Sequence, residues 1–304
     1  ARGLFRRAVA QSGAGHNAYS AATAARLAGH LLELLEVKPG DLQALLAVPP
    51  ERVLAAQTRL GAELTMSRDR ERFGDAAGSP IPLQPTFDTD VLPRRPIAAI
   101  ADGAAAGIDL LLGTTAEEAR IFMVEMKDLF SEPVVEALLD RVMRPAGRSG
   151  REVLSLYQQR RPGALPYELA AAAETDRLFR IPALRLADAQ AAHHPQTWMY
   201  EFAWRSTARS GEFGACHFLE VPFMFDQLDN EQARGIAGTP PQELADKLHP
   251  AWVAFAKTGD PNHAALPAWP RWDRERRPTL RFDIQCEVVC DPAREERSVW
   301  DGVL

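Results

Sequence analysis

The run Ile108-Asp109-Leu110-Leu111-Leu112-Gly113 constrains the fold more than any other stretch: it is short, strongly apolar and closed off by turn residues. A strand of this kind must be covered on both faces, as strands of parallel sheets are. The remaining signals fit that requirement. Leu4-Phe5 and Ala8-Val9-Ala10 lead into Gly13-Ala14-Gly15, which reads as a strand followed by the loop of a βα unit. Further strands are expected at Thr197–Trp204 and Thr279–Phe282. Helices are expected from Ser20 as N-cap to about Pro39-Gly40, from Asp41, from Pro49-Pro50, over Glu132–Met143, Arg151–Gln159 and Tyr167–His193 with a break at Ile181-Pro182, and over Pro240–Lys257. Gly78–Pro96 is proline-rich but carries apolar residues that ask for burial, so it reads as an ordered extended loop. Strands separated by helices over this length predict an α/β protein with a mostly parallel sheet.

The chain has 304 residues, 46% of them hydrophobic, which suffices for one large domain or two packed lobes. Its formal net charge is -6 and its arginine pairs are scattered, so nucleic acid is not an expected partner. Cys216, Cys286 and Cys290 do not form a disulfide framework, and the C-x₃-C pair lacks the further ligands of a zinc site. No run of about 18 apolar residues exists, so no membrane-spanning helix is expected. The first residues read as the interior of a βα unit. The chain is therefore expected to be the C-terminal part of a longer protein, and its compartment is unknown from these residues.

Two places can carry chemistry. The strand at 108–112 is followed by Gly113-Thr114-Thr115-Ala116-Glu117-Glu118, and functional groups in open α/β sheets sit just past the carboxyl ends of strands. The second place is Gly214-Ala215-Cys216-His217-Phe218-Leu219-Glu220, where one histidine follows small residues and precedes an acid, a proline and large apolar side chains. The acid-then-histidine order is that of the second and third members of a Ser…Asp/Glu…His triad. Of the adjacent pair Glu117 and Glu118, only one can aim at a given ring. Cys216 and His217 point to opposite sides of an extended segment, which argues against a cysteine nucleophile. His193-His194 reads as a solvated pair at a helix end rather than a metal site. Glu220 reads as a loop anchor, and Phe122, Trp204, Phe223 and Phe225 as pocket lining or core.

Gly-Thr-Thr-x-x-Glu at 113–118, Cys-His-x-x-Glu-x-Pro-Phe-x-Phe at 216–225 and Phe255-Ala256-x-x-Gly259-x-Pro261-Asn262 together resemble the type-B carboxylesterase family. Phe5-x-x-Ala8-x-x-Gln11-Ser12-Gly13, Asp88-x-x-Val91-Leu92-Pro93 and Trp269-Pro270 fit the same order, so the resemblance spans nearly the whole chain. It implies the α/β-hydrolase fold: residues 1–304 would be the C-terminal portion of a single domain, a mostly parallel doubly wound sheet with helical insertions. It also implies Glu118 as the triad acid, His217 as the general base, a small-molecule ester substrate, and neither cofactor nor metal. The motif register favours Glu118 over Glu117. Ser12 is expected to support Glu118 through a hydrogen bond.

The sequence departs from the family pattern in one respect. No Gly-x-Ser-x-Gly elbow occurs in these residues, nor the glycine-rich oxyanion loop that lies upstream in the family. The chain alone is therefore expected to be inactive and, with a sheet edge uncovered, poorly soluble. Two other classes share the resemblance: a non-catalytic, neuroligin-like interaction protein and a small-molecule binding protein.

Overall fold

In the computed structural model, residues 3–13, 15–67, 69–79 and 81–303 are described. The opening Ala1-Arg2, Ala14 of the glycine-rich turn and Pro80 of the proline-rich stretch lie outside them. The chain separates into two compact units, residues 1–14 with 103–304, and residues 15–102.

The larger unit is built on a sheet that, among the described residues, has five strands in the order Arg7–Gln11, Asp109–Thr115, Thr197–Phe202, Pro278–Phe282 and Glu287–Cys290. The first three pairings are parallel and the last is antiparallel. The mostly parallel sheet expected from the apolar runs is thus present. Asp109–Thr115 is buried from its second residue onward. It continues past Gly113 through Thr115, so Glu118 stands three residues beyond the strand's end, closer than the sequence suggested. Glu287–Cys290 was not anticipated; its side chains are exposed or half-buried, and it has no apolar run to announce it.

The helices Glu132–Met143, Gly150–Arg160 and Gln242–Thr258 stand within a residue or two of their expected places. Gly259, at φ +84°, ends the last of these in the left-handed conformation that glycine adopts without strain. The break expected at Ile181-Pro182 is a π turn over Asp176–Arg180, between helices Pro166–Thr175 and Ile181–Ala191. Pro182 has no N–H to offer the preceding turn, so the register widens just before it. A buried core of Trp198, Tyr200, Phe202, Trp204, Phe223, Trp252, Phe255 and Phe282 packs across the sheet's central strands. At about 1.5–3 kcal/mol for each fully buried large apolar side chain, this cluster is the unit's chief source of cohesion.

In the smaller unit, Ser20 caps Ala21–Leu35 by accepting the Thr23 N–H, and Asp41 caps Leu42–Leu46 in the same way. The first helix stops at Glu36, in left-handed conformation, three residues short of Pro39. Pro50 opens Pro50–Met66, and Leu27, Leu60, Leu64 and Phe73 form the unit's core. The extended stretch beyond Gly78 does not bury all of its apolar residues. Val91 is 95% exposed because it sits at the corner of a turn closed between Thr89 and Leu92. Among the described residues, no helix is long and apolar enough to cross a membrane.

Candidate active site

The loop after Asp109–Thr115 turns back on its own strand. Glu118 is fully buried, and its Oε1 accepts the Thr115 N–H at 2.7 Å. The same oxygen accepts the Ser12 hydroxyl at 2.5 Å. Ser12 follows the edge strand at φ +55°, and its N–H bonds to the Gly113 carbonyl. The contact expected from the sequence between Ser12 and Glu118 is therefore made.

Glu118 Oε2 lies 2.6 Å from His217 Nδ1, and the His217 N–H donates to the Glu118 carbonyl at 3.3 Å. The His217 side chain remains 34% exposed, so one edge of the ring is open while the other is held. Phe122 and Phe179 pack against the ring, with centroids 5.5 and 5.2 Å away. Burial pulls the His217 pKa down, but the Glu118 hydrogen bond and charge, aided by Glu220, outweigh it and leave it above the ordinary 6.5. Phe218, directly after the histidine, sits at φ +73°, a conformation unusual for a bulky residue. Strained backbone of this kind is found where a site is held by its surroundings.

Glu117, the rival acid, faces away. Its carboxylate is taken by Arg120 at 2.8 Å, by Arg205 at 2.5 Å and by the Ala215 N–H at 2.8 Å. Only Glu118 meets the histidine.

Glu220 is buried beside the pair. Its Oε1 accepts from Gln11 Nε2 at 3.2 Å and faces the Tyr200 hydroxyl at 3.4 Å, while Oε2 has no protein partner among the described residues. Burial and the neighbouring Glu118 charge raise its pKa to about 7. It anchors the loop, as expected, and is also a titrating group. Cys216 is buried, with its thiol pushed up to about 12 by burial, which suits a core residue and not a nucleophile.

The four candidate pocket residues divide. Trp204 and Phe223 are core, edge-to-face with centroids 5.2 Å apart, while Phe122 and Phe225 are 54% and 62% exposed. His194 is not a solvated residue of a helix end. It is half-buried just past the helix end at Ala191, with its backbone N–H on the Gln190 carbonyl and its Nε2 2.9 Å from Asp109 at the start of the second strand. Phe179 was missed: it lies 38 positions before His217, and only the π turn aims it at the ring. Among the described residues, no group of three or more His, Cys, Asp or Glu side chains is arranged to hold a metal ion.

Comparison with known proteins gives the family and the fold. The chain is 33% identical over 300 residues to a para-nitrobenzyl esterase of Bacillus subtilis, covering 98% of this chain and 57% of that protein. It is 31% identical to a phenmedipham hydrolase of Pseudarthrobacter oxydans, with 97% and 58% covered. A crystal structure of the Geobacillus stearothermophilus carboxylesterase EST55 superimposes with a TM-score of 0.77 at 34% identity, over 98% of this chain and 59% of that one. The chain thus spans somewhat over half the length of the relatives it matches. Their fold is the α/β-hydrolase fold, and the mostly parallel sheet with its helices places this chain in it. The sequence pattern of the Carboxylesterase family matches residues 1–300, and with these relatives it shows that the chain belongs to that family.

Proposed function

We propose that these residues are the acid- and base-bearing C-terminal portion of a single α/β-hydrolase domain, and that with a serine from upstream they hydrolyse carboxylic esters of small molecules through a Ser-Glu-His triad. The observation that carries this reading is the 2.6 Å contact between His217 Nδ1 and a fully buried Glu118, on a ring whose other edge is open. With Nδ1 engaged, Nε2 is the nitrogen left for a serine hydroxyl.

The roles follow from that arrangement. His217 takes the serine proton as the hydroxyl oxygen attacks the ester carbonyl, then delivers it to the departing alcohol. In the second half it takes a proton from water and returns it to the serine as the acid leaves. Glu118 fixes the tautomer and stabilises the imidazolium; Ser12 and the Thr115 N–H hold Glu118 in place. Phe122, which is exposed and packs against the His217 ring, favours esters with apolar acyl or alcohol groups. The para-nitrobenzyl esterase and the carboxylesterase among the relatives support ester substrates. The chemistry asks for no cofactor.

The test is hydrolysis of p-nitrophenyl acetate and butyrate by the protein expressed with its upstream coding sequence and by the 304-residue chain alone. The first should turn over, and His217→Ala should lower its kcat by about 10⁴-fold or more. The second should be inactive, since no Gly-x-Ser-x-Gly lies within it. Turnover by the short chain, or an undiminished His217→Ala variant, would sink the reading.

A further inference from the structure

Glu117 shares a loop with the triad acid but makes an entirely different set of contacts. Its backbone N–H donates to the Ala215 carbonyl at 2.9 Å, and its Oε2 accepts the Ala215 N–H at 2.8 Å. One residue of the acid loop thus grips one residue of the histidine loop from both sides, two positions before His217. The grip is braced from behind. Arg120 bonds Glu117 Oε1, pairs with Glu168 at 2.5 Å and donates to the Glu212 carbonyl at 2.7 Å, which ties the same loop to helix Pro166–Thr175 and to the approach of the histidine segment. Arg120 is nearly buried, so this pairing is shielded from solvent.

The histidine loop is shaped to lie on this pair. Gly214 has φ +61°, and a Cβ there would overlap the Glu117 carboxylate and stand 2.9 Å from Arg120 Cδ. The backbone can reach Glu117 only because residue 214 has no side chain. Beyond Ala215 the next tie between the loops is the His217 N–H to the Glu118 carbonyl. The adjacent carboxylates therefore divide the work: one holds the ring, the other holds the backbone that carries the ring.

We propose that Glu117 is a positioning residue that sets the register of the histidine loop against Glu118 through its double contact with Ala215. The proposal rests on His217 being the general base. A group that matters only for folding would change stability and leave the His217–Glu118 contact as it is in every folded molecule. A positioning group changes that contact within the folded molecule.

The forces that set the His217 titration come from burial, Glu118 and Glu220. Glu117 is close enough that losing its charge can also lower the midpoint. Displacement of the ring is therefore read from the Nδ1–H resonance together with kcat, and the midpoint alone does not decide. The experiment follows the His217 ring by NMR with labelled histidine, in the protein expressed with its upstream sequence. In Glu117→Ala, the downfield Nδ1–H resonance of the carboxylate-bound imidazole should weaken or move upfield. The His217 midpoint should fall, and kcat for p-nitrophenyl butyrate should drop at least tenfold with KM changed less than twofold.

Glu117→Gln keeps the volume and serves where the alanine variant does not fold; its midpoint should also fall, by a smaller amount. Glu212→Gln removes the exposed Lys127 pair of the same network without touching Ala215 and should leave the ring signals unchanged. A folded Glu117→Ala or Glu117→Gln protein with the wild-type resonance, midpoint and kcat would overturn the proposal. So would a Glu212→Gln protein showing the same displacement. If the ring signals move as stated while the wild-type protein hydrolyses no ester, the positioning role stands and only the reaction falls.

Discussion

Glu118 has both oxygens engaged: Ser12 and the Thr115 N–H on one side, His217 on the other. That makes a simple exchange informative. Glu118→Gln retains the shape but removes the charge that offsets the burial of the ring, and burial alone lowers the imidazole pKa. In the proposed reaction His217 acts as a base only when neutral, so kcat/KM should fall on the acid side as the ring protonates. In the wild-type protein with its upstream sequence, that limb should lie above 6.5. In Glu118→Gln it should move below the wild-type midpoint, with kcat reduced by about 10⁴-fold. A pH–rate profile of the two proteins checks both statements.

Glu220 supplies a second prediction at the same scale, and here the sign matters. Its carboxyl keeps its proton up to about pH 7 when folded, against an ordinary value of 4.5. Between those values the folded state binds more protons than the unfolded one. The stabilisation is complete below the unfolded value and is lost as pH rises towards the folded one. Wild-type stability in urea should therefore fall between pH 4.5 and 7 by on the order of 3 kcal/mol from this group. Glu220→Gln should flatten that decline, and an equal decline in the variant would refute the assignment.

Among the elements, the central strands carry the tightest constraint. Gly113 stands opposite Tyr200, and a Cβ there would overlap the tyrosine ring and its carbonyl oxygen. Tyr200 cannot yield, because it is fully buried and its ring lies 5.0 Å from Trp252. Gly113→Ala should thus cost about 1–3 kcal/mol in urea unfolding, more than an exposed glycine such as Gly235.

These strands are also what the sequence shows most clearly, since burial on both faces leaves an unbroken apolar run. The long helices were legible for a similar reason, through periodicity and capping residues such as Ser20 and Asp41. The strand Glu287–Cys290 and the helix Arg294–Ser298 were not. The helix is fixed by the buried Glu296, which pairs with Arg161 far along the chain, and no local pattern encodes such a pair. The site divides in the same way. Glu118 and His217 stand out through motif spacing and order. The stacking of Phe179 on the ring and the grip of Glu117 on Ala215 depend on packing between distant segments.

At the scale of the whole molecule, Arg7–Gln11 pairs on one side only among the described residues, with Asp109–Thr115. Val9 on that strand, and Leu4 and Phe5 just before it, are exposed. An open strand edge beside apolar side chains is a template for association. The 304-residue chain should show concentration-dependent association by light scattering. Val9→Lys should reduce it while leaving the circular dichroism unchanged.

The contacts that converge on Glu118 also have a temporal meaning. Ser12 is 106 positions away from it along the chain and His217 is 99. No local segment can assemble any two of these groups. Each must wait for a long loop to close, and closure over such separations is slow even though its equilibrium penalty grows only slowly with length. The helices can form early and on their own. The Thr115 N–H is available from the local turn, but the carboxylate acquires Ser12 and His217 only once the strands are in register, so the proposed proton-transfer site is completed late in folding.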